Sequence, residues 1–125
     1  MSAQTNPLDE AWDMQMDAAK VGFDWPTVDG VIDKVLEEVG EVKEACESNA
    51  KDEEIRSELG DLLFAVINVC RVMNFHPNDA LNAANRKFTR RFDCMCEGLV
   101  KSGKGISDAS LEEMERMWEW AKTLE

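Results

Sequence analysis

The sequence predicts an all-α fold, a helical bundle of four to five helices in a single domain covering residues 1–125. Apolar residues recur at three- and four-residue steps, no segment alternates like a half-buried strand, and prolines separate the helical segments. A composition of 44% hydrophobic and 32% charged residues is typical of a folded, soluble domain. Because a 125-residue chain is small, we expect homodimerisation to complete its core.

Proline-containing segments delimit the first two helices. Asn6-Pro7 predicts an N-cap followed by proline at the first helical position, and this helix extends to about Val21. Trp25-Pro26-Thr27 interrupts the chain before a second helix, which we expect to end near Ser48-Asn49. The apolar stripe of the second helix comprises Val31, Val35, Val39, Val42 and Cys46.

The third helix is the most apolar segment of the chain. We expect Asp52 as its N-cap, and Phe75-His76-Pro77-Asn78 ends it. Since its apolar residues lie on more than one side, we expect it at the centre of a bundle or at a subunit interface.

Two further helices complete the prediction. The buried stripe expected for the fourth helix comprises Ala80, Leu81, Ala84, Phe88 and Phe92. After the flexible link Ser102-Gly103-Lys104-Gly105, the segment Ser110-Leu111-Glu112-Glu113 has the pattern of a capping box and predicts the start of the fifth helix.

Charge and hydropathy exclude several classes of partner. With 26 acidic and 14 basic residues, the net charge of -12 argues against a nucleic acid polymer as ligand, because no surplus of cations is present to replace its counterions. The longest apolar stretch, Leu62 to Val72, contains Asn68 and Arg71 and is too short to span a membrane. Residues 1–10 show no basic segment followed by an apolar one, so we expect no export signal, and we expect the four cysteines to be reduced thiols in a cytoplasmic protein.

Two pairs of acidic residues point to a metal site. Glu38 and Glu41 lie three residues apart on the second helix, as do Glu58 and Asp61 on the third. This spacing places each pair on one helix face, so two neighbouring helices can direct four carboxylates to one point. Hard oxygen ligands suit Mg²⁺, with Mn²⁺ as an alternative. A solvated acidic helix face is the plainer explanation of either pair alone.

Two observations favour the metal site. Gly40 and Gly60 occupy helix interiors, where glycine costs about 0.5–1 kcal/mol relative to alanine, which suggests a close approach of another backbone. In addition, Glu58 and Asp61 lead directly into the apolar stretch, where uncompensated carboxylates would be costly and a cation would relieve them.

Basic residues accompany the acidic faces. Lys34 lies on the same helix face as Glu38, and Lys87 and Arg91 form an i, i+4 pair on the fourth helix. Each alone is consistent with an ordinary surface salt bridge. Together with a metal site, they make an arrangement suited to a polyphosphate, in which Mg²⁺ bridges phosphate oxygens and the cations neutralise the remaining charge.

The ordered combination of motifs resembles a known family. The motifs are Lys34-x-x-Glu37-Glu38-x-x-Glu41, Glu58-Leu59-Gly60-Asp61, Asn68-Val69-Cys70-Arg71 and Asn85-Arg86-Lys87-Phe88-Thr89-Arg90-Arg91-Phe92. From about Pro26 to Lys122 the chain resembles MazG-type nucleoside triphosphate pyrophosphohydrolases, of the all-α NTP pyrophosphatase superfamily. The resemblance implies Mg²⁺-dependent hydrolysis of the α–β bond of (d)NTPs to a monophosphate and pyrophosphate, used to clean the nucleotide pool.

The resemblance also implies roles for individual residues. Metal ligands would be Glu38, Glu41, Glu58 and Asp61. Phosphates would be held by Lys34, Lys87 and Arg91. Glu37 is a candidate for orienting or deprotonating the attacking water. Many relatives carry a glutamate directly before the second acidic motif, and Ser57 occupies that position here, so any role of that acid is absent or moved.

The part of the site that binds the nucleoside is less defined. Trp25 is a candidate for stacking on a base and Asn68 for hydrogen bonding to a base or sugar, although both residue types also occur as core or interface residues. Alternative substrates within the superfamily are phosphoribosyl-ATP or the pyrimidine nucleotides dUTP and dCTP. The alternative from another class is a non-catalytic acidic helical oligomer that binds metal or a protein. A homodimer or homotetramer is expected for the enzyme.

Overall fold

The computed structural model describes residues 6–125, most of which lie in five helices. These are α1 (Pro7–Lys20), α2 (Val28–Glu47), α3 (Asp52–Val72), α4 (Pro77–Lys101) and α5 (Leu111–Thr123). No strand occurs between residues 6 and 125, so the all-α fold class is confirmed. Contacts divide the chain into two compact units, the first ending at Ala80 and the second being Leu81–Glu125. The single domain and the core completed by homodimerisation stay predictions.

Two helix starts follow from their capping residues as predicted. The Asn6 Oδ1 atom accepts a hydrogen bond of 2.8 Å from the Leu8 N–H, directly before Pro7 at the first helical position. At α5, the Glu113 N–H donates to Ser110 Oγ (3.1 Å) and the Ser110 N–H donates to Glu113 Oε1 (3.0 Å). These bonds satisfy backbone donors that have no partner inside a helix.

The start of α3 corrects the sequence prediction, because Asp52 is not its N-cap. Lys51 holds that position in an extended conformation and makes no side-chain capping bond. The N–H groups of Glu54 and Ile55 donate to the Lys51 carbonyl at 2.9 and 3.0 Å, so the helix begins one residue earlier than expected. Asp52 instead lies in the first turn, where a carboxylate interacts favourably with the helix dipole.

The first unit is built on an antiparallel pair of helices. α2 and α3 pack against each other after a short link, and α1 packs on α3. The Gln15 side chain of α1 donates from Nε2 to the Phe64 carbonyl of α3 at 3.0 Å. Val31 is fully buried, and Ala65 and Ile67 of α3 are each 4% exposed. This packing brings the middle of α2 alongside the first half of α3.

In the second unit the buried face of α4 differs from the predicted stripe. Leu81, Phe88 and Phe92 are 50%, 57% and 39% exposed, and Ala80 and Ala84 are also exposed, so this prediction is wrong for the single chain. The buried residues lie further along α4, at Met95, Gly98 and Leu99. Phe88 and Phe92 instead stack on each other, with ring centroids 5.7 Å apart, and thereby shield part of their apolar surface.

The helices were compared with the length and hydropathy that a membrane span needs, and the cysteines with the expected reduced state. Among the described residues no single helix is long and apolar enough to cross a membrane, although α3 and α4 taken as one bent pair meet that length and composition. All four cysteines are free thiols, as expected.

Candidate active site

Three carboxylates from two helices converge in the first unit. Glu38 of α2 and Glu58 and Asp61 of α3 each offer one oxygen, and these oxygens lie within 4.8 Å of one another. Glu38 is 8% exposed, Glu58 is half-buried and Asp61 is exposed. The antiparallel pairing of α2 with α3 creates this cluster, and three hard oxygen donors at such separations suit Mg²⁺ or Mn²⁺.

Glu41, the fourth predicted ligand, lies outside this cluster. It lines a separate cavity of about 420 Å³ together with Glu44, Glu54 and Glu58. Partial burial raises the pKa of Glu58 above its ordinary value, and the negative charges of Glu41 and Asp61 raise it further. Glu41 is therefore close enough to act electrostatically on the cluster, and its role as a metal ligand stays a prediction.

Lys34 is the cation beside the cluster, on the helix face that its spacing predicts. Its Nζ atom lies 3.2 Å from Glu38 Oε1 and 3.4 Å from Glu37 Oε1. The hydrogen bond to Glu38 is the main cause that raises the pKa of Lys34, and the charge of Glu37 adds to it. The Glu37 side chain is 60% exposed, so it is reachable by water but is not one of the three converging carboxylates.

Gly40 and Gly60 do not mark a close approach of another backbone within the described chain. A Cβ atom added at either position would meet no heavy atom of a neighbouring element within 4 Å. Both glycines are exposed, because they lie away from the contact between α2 and α3. The inference of a close approach from the sequence is therefore wrong for residues 6–125.

A cavity of about 700 Å³ adjoins the cluster. Lys34, Glu38 and Asp61 line it, and so do Trp25, from the link between α1 and α2, and Asn68 of α3. Seven residues separate Asp61 from Asn68, which corresponds to about 10 Å along a helix. The cavity therefore extends from charged groups suited to phosphates to an aromatic ring and an amide, and most of its other lining is apolar.

Arg71, Asp24 and Gln15 also line this cavity, and the motifs predicted no role for any of them. Arg71 Nη2 donates to Asp24 Oδ1 at 2.6 Å, and Arg71 Nε and Nη2 donate to Asn68 Oδ1 at 3.2 and 3.0 Å. The spacing of Asn68 and Arg71 on one helix face was the available signal, but neither its place in the Asn68-Val69-Cys70-Arg71 motif nor its interruption of the apolar stretch indicated a role for Arg71. Gln15 also lines the cavity, and nothing local in the sequence indicates that α1 reaches this part of α3.

Lys87 and Arg91 belong to the second unit, Leu81–Glu125. Arg91 donates from Nε and Nη2 to the two carboxylate oxygens of Glu125, at 2.9 and 2.7 Å. Its guanidinium carbon lies 5.9 Å from the centroid of the Trp118 ring, while Lys87 is exposed. Phosphate binding by these two residues stays a prediction.

Comparison with known families supports what the motifs suggest. The sequence model of the MazG nucleotide pyrophosphohydrolase domain matches residues 27–95. This segment contains the converging carboxylates, Asn68 and Arg71, and it covers more than half of the chain. The chain belongs to the MazG family.

Two relatives named as nucleoside triphosphate pyrophosphohydrolases match over nearly the whole chain. It is 40% identical over 123 residues to a protein of Thermotoga maritima named nucleoside triphosphate pyrophosphohydrolase/pyrophosphatase MazG, covering 95% of this chain and 47% of the relative. It is 39% identical over 119 residues to the nucleoside triphosphate pyrophosphohydrolase of Escherichia coli K12, covering 94% of this chain and 45% of the relative. The chain thus spans just under half the length of these relatives. A Bacillus subtilis protein, YabN, is 41% identical over 71 residues, covering 57% of this chain and 14% of the relative.

Proposed function

We propose that this MazG-family chain is a Mg²⁺-dependent pyrophosphohydrolase that cleaves the α–β bond of (d)NTPs, releasing a (d)NMP and pyrophosphate. The convergence of Glu38, Glu58 and Asp61 within 4.8 Å, at the edge of a cavity that also contains Trp25 and Asn68, carries this proposal. The names of the Thermotoga and E. coli relatives support the same reaction. We further propose that the reaction removes unwanted nucleotides from the cytoplasmic pool.

The donor set fits the proposed cofactor. Glu38, Glu58 and Asp61 would hold Mg²⁺, or Mn²⁺ in its place, with Glu41 contributing from the adjacent turn of α2. When bound there, the ion would polarise phosphate oxygens and make the attacking water more acidic. Without a cation, close carboxylates repel one another, and the raised pKa of Glu58 is a consequence of its burial and this repulsion.

The remaining charged groups bind the substrate and position the water. The Lys34 side chain is 36% exposed, so its ammonium group can contact a phosphate while it stays beside Glu38. Glu37, exposed and next to Lys34, is proposed to orient the attacking water or accept its proton. Lys87 and Arg91 are proposed to neutralise other phosphate charges, with the leaving pyrophosphate as their main ligand.

The nucleoside is proposed to occupy the far end of the cavity. The half-buried Trp25 ring offers a surface for base stacking. Asn68 offers hydrogen bonds to the base or the sugar. Both residues line the cavity that the carboxylates border.

A homodimer or homotetramer is proposed from two exposed apolar stripes. On α2, Ile32, Leu36 and Val39 are 40%, 64% and 47% exposed. On α3, Leu59, Leu63 and Val66 are 44%, 58% and 41% exposed. Each set follows the i, i+4, i+7 spacing of one helix face. Burial of such faces would favour association, which light scattering coupled to size-exclusion chromatography measures directly.

A product assay tests the proposed reaction. The purified chain is incubated with each NTP and dNTP, and separately with phosphoribosyl-ATP, in the presence of Mg²⁺, and the products are identified. A monophosphate and pyrophosphate are expected. Orthophosphate with a diphosphate, or no turnover of any nucleotide, would overturn the proposal. Turnover restricted to dUTP and dCTP, or to phosphoribosyl-ATP, would assign the narrower substrate.

A matched pair of variants tests the carboxylate cluster. Glu38→Gln removes a ligand charge with little change in shape and should lower hydrolysis by about 100-fold or more, as expected when a group that stabilises the transition state is lost. Glu47→Gln makes the same chemical change on α2 at an exposed residue that pairs with Lys43, away from the three carboxylates, and it should leave hydrolysis unchanged. Equal activity of the two variants would mean that the carboxylates are wrongly assigned.

A further inference from the structure

The amide of Asn68 has a defined orientation. A guanidinium group contains only hydrogen-bond donors, so the Asn68 atom that faces Arg71 must be the oxygen. Arg71 Nε and Nη2 both donate to it, at 3.2 and 3.0 Å. The amide nitrogen therefore lies on the side away from the guanidinium, and it donates to no residue between 6 and 125. Since Asn68 lines the cavity, its NH₂ group is available as a donor to a ligand.

Arg71 also connects α3 to the link that carries Trp25. Its side chain is only 7% exposed, and Nη2 donates to Asp24 Oδ1 at 2.6 Å. The same oxygen of Asp24 accepts a hydrogen bond of 2.7 Å from the Trp25 N–H. A single planar guanidinium thus fixes both the Asn68 amide and the backbone next to Trp25. The guanidinium does this with a fork of N–H groups held in one plane. A lysine ammonium is not planar and cannot donate in this geometry.

We propose that Arg71 is a positioning residue for nucleoside recognition, which orients Asn68 as a donor and holds Trp25 beside it. The inference rests on the proposed function, because the ligand is the nucleoside part of the triphosphate. An NH₂ donor selects an acceptor, namely a carbonyl oxygen or ring nitrogen of the base, or a hydroxyl oxygen of the sugar. Asn68 lies about 10 Å along α3 from Asp61, so it contacts a part of the ligand remote from the phosphates at the carboxylates.

Two substitutions separate this role from general support of the fold. Asn68→Asp keeps an oxygen that accepts from Arg71 and replaces the NH₂ group with a second acceptor. Arg71→Lys keeps a positive charge near Asp24 and removes the fork. Arg56→Lys is the matched control, since Arg56 is an exposed residue of the same helix.

Binding is measured by isothermal titration calorimetry with two kinds of ligand in the presence of Mg²⁺. The first is a set of α,β-methylene nucleoside triphosphates carrying each of the four bases, which cannot be cleaved at the α–β bond. The second is inorganic tripolyphosphate, which presents phosphates but no nucleoside. The difference between these two kinds of ligand gives the contribution of the nucleoside to binding. Circular dichroism checks that each variant keeps its helicity.

Asn68→Asp and Arg71→Lys should each weaken binding of the tightest nucleotide by about tenfold, as expected for a lost hydrogen bond, while tripolyphosphate affinity changes by less than about twofold. The Arg56→Lys control should bind both ligands like the unmodified chain. Equal weakening of nucleotide and tripolyphosphate, or unchanged nucleotide affinity in both variants, would overturn the inference. Tight nucleotide binding without hydrolysis of ordinary triphosphates would refute the proposed function alone, and the absence of any nucleotide binding would refute both.

Discussion

Replacing Gly40 or Gly60 with alanine tests directly whether another backbone lies close to the acidic motifs. Glycine inside a helix costs about 0.5–1 kcal/mol relative to alanine. Because an added Cβ at either position meets no heavy atom within 4 Å, no steric cost should offset the gain. Each variant should therefore raise the free energy of unfolding by about 0.5–1 kcal/mol, which for a chain of this size raises the melting temperature by about 2–4 °C.

Thermal and urea unfolding followed by circular dichroism measure this effect. Gly98→Ala provides the contrasting variant, since a Cβ there would lie 2.8 Å from Met117 Sδ and 3.1 Å from Trp120 Cζ3. Crowding of this kind opposes the gain in helix propensity, so Gly98→Ala should be less stable than either of the other variants. A loss of stability in Gly40→Ala or Gly60→Ala would refute the reasoning. It would indicate a close backbone approach that residues 6–125 of one chain do not supply, such as an approach by a second copy of the chain.

Three further predictions concern capping, pH and the metal. Ser110→Ala should lower the free energy of unfolding by about 1 kcal/mol, because it removes the N-cap of α5, and an unchanged urea midpoint would contradict this. The Ser110 N–H and, after it, the Lys104 ammonium lower the pKa of Glu113 from 4.5 to about 2. Its stabilising contribution should thus be complete above pH 4.5 and lost as the pH falls toward 2. Glu113→Gln should remove this part of the pH dependence of thermal unfolding, whereas an identical profile would argue against it. Chelation of divalent ions should abolish hydrolysis and added Mg²⁺ should restore it, and activity that persists after exhaustive chelation would exclude the proposed cofactor.

Much of the fold was predictable because its signals are local. Asn6-Pro7 and the Ser110–Glu113 capping box define helix starts through bonds within a few residues. The Asp52 prediction was wrong by one position, since the chain before α3 is extended at Lys51 and no side-chain bond selects the cap. The buried stripe expected around Phe88 was wrong because helical periodicity shows that a face is apolar, but does not show what covers it.

In the candidate site, too, contacts within one helix were predictable from the sequence and contacts between helices were not. Spacing along one helix placed Lys34 beside Glu38 and paired Glu58 with Asp61. It did not distinguish Glu41 from Glu38, because that difference depends on where α3 crosses α2. Gln15 and Asp24 were missed for a related reason, since each reaches α3 from 47 or more residues away along the chain.

The sequence by itself determined the helices, the N-caps Asn6 and Ser110, the acidic motifs and the family. These depend on residue types and on spacing along one helix, where positions three or four residues apart are always neighbours. Only the tertiary structure decided which three carboxylates converge, where the cavity lies, and that Arg71 connects Asn68 to Asp24. Those features depend on the relative placement of α1, α2 and α3, which results from side-chain packing between segments distant in the sequence.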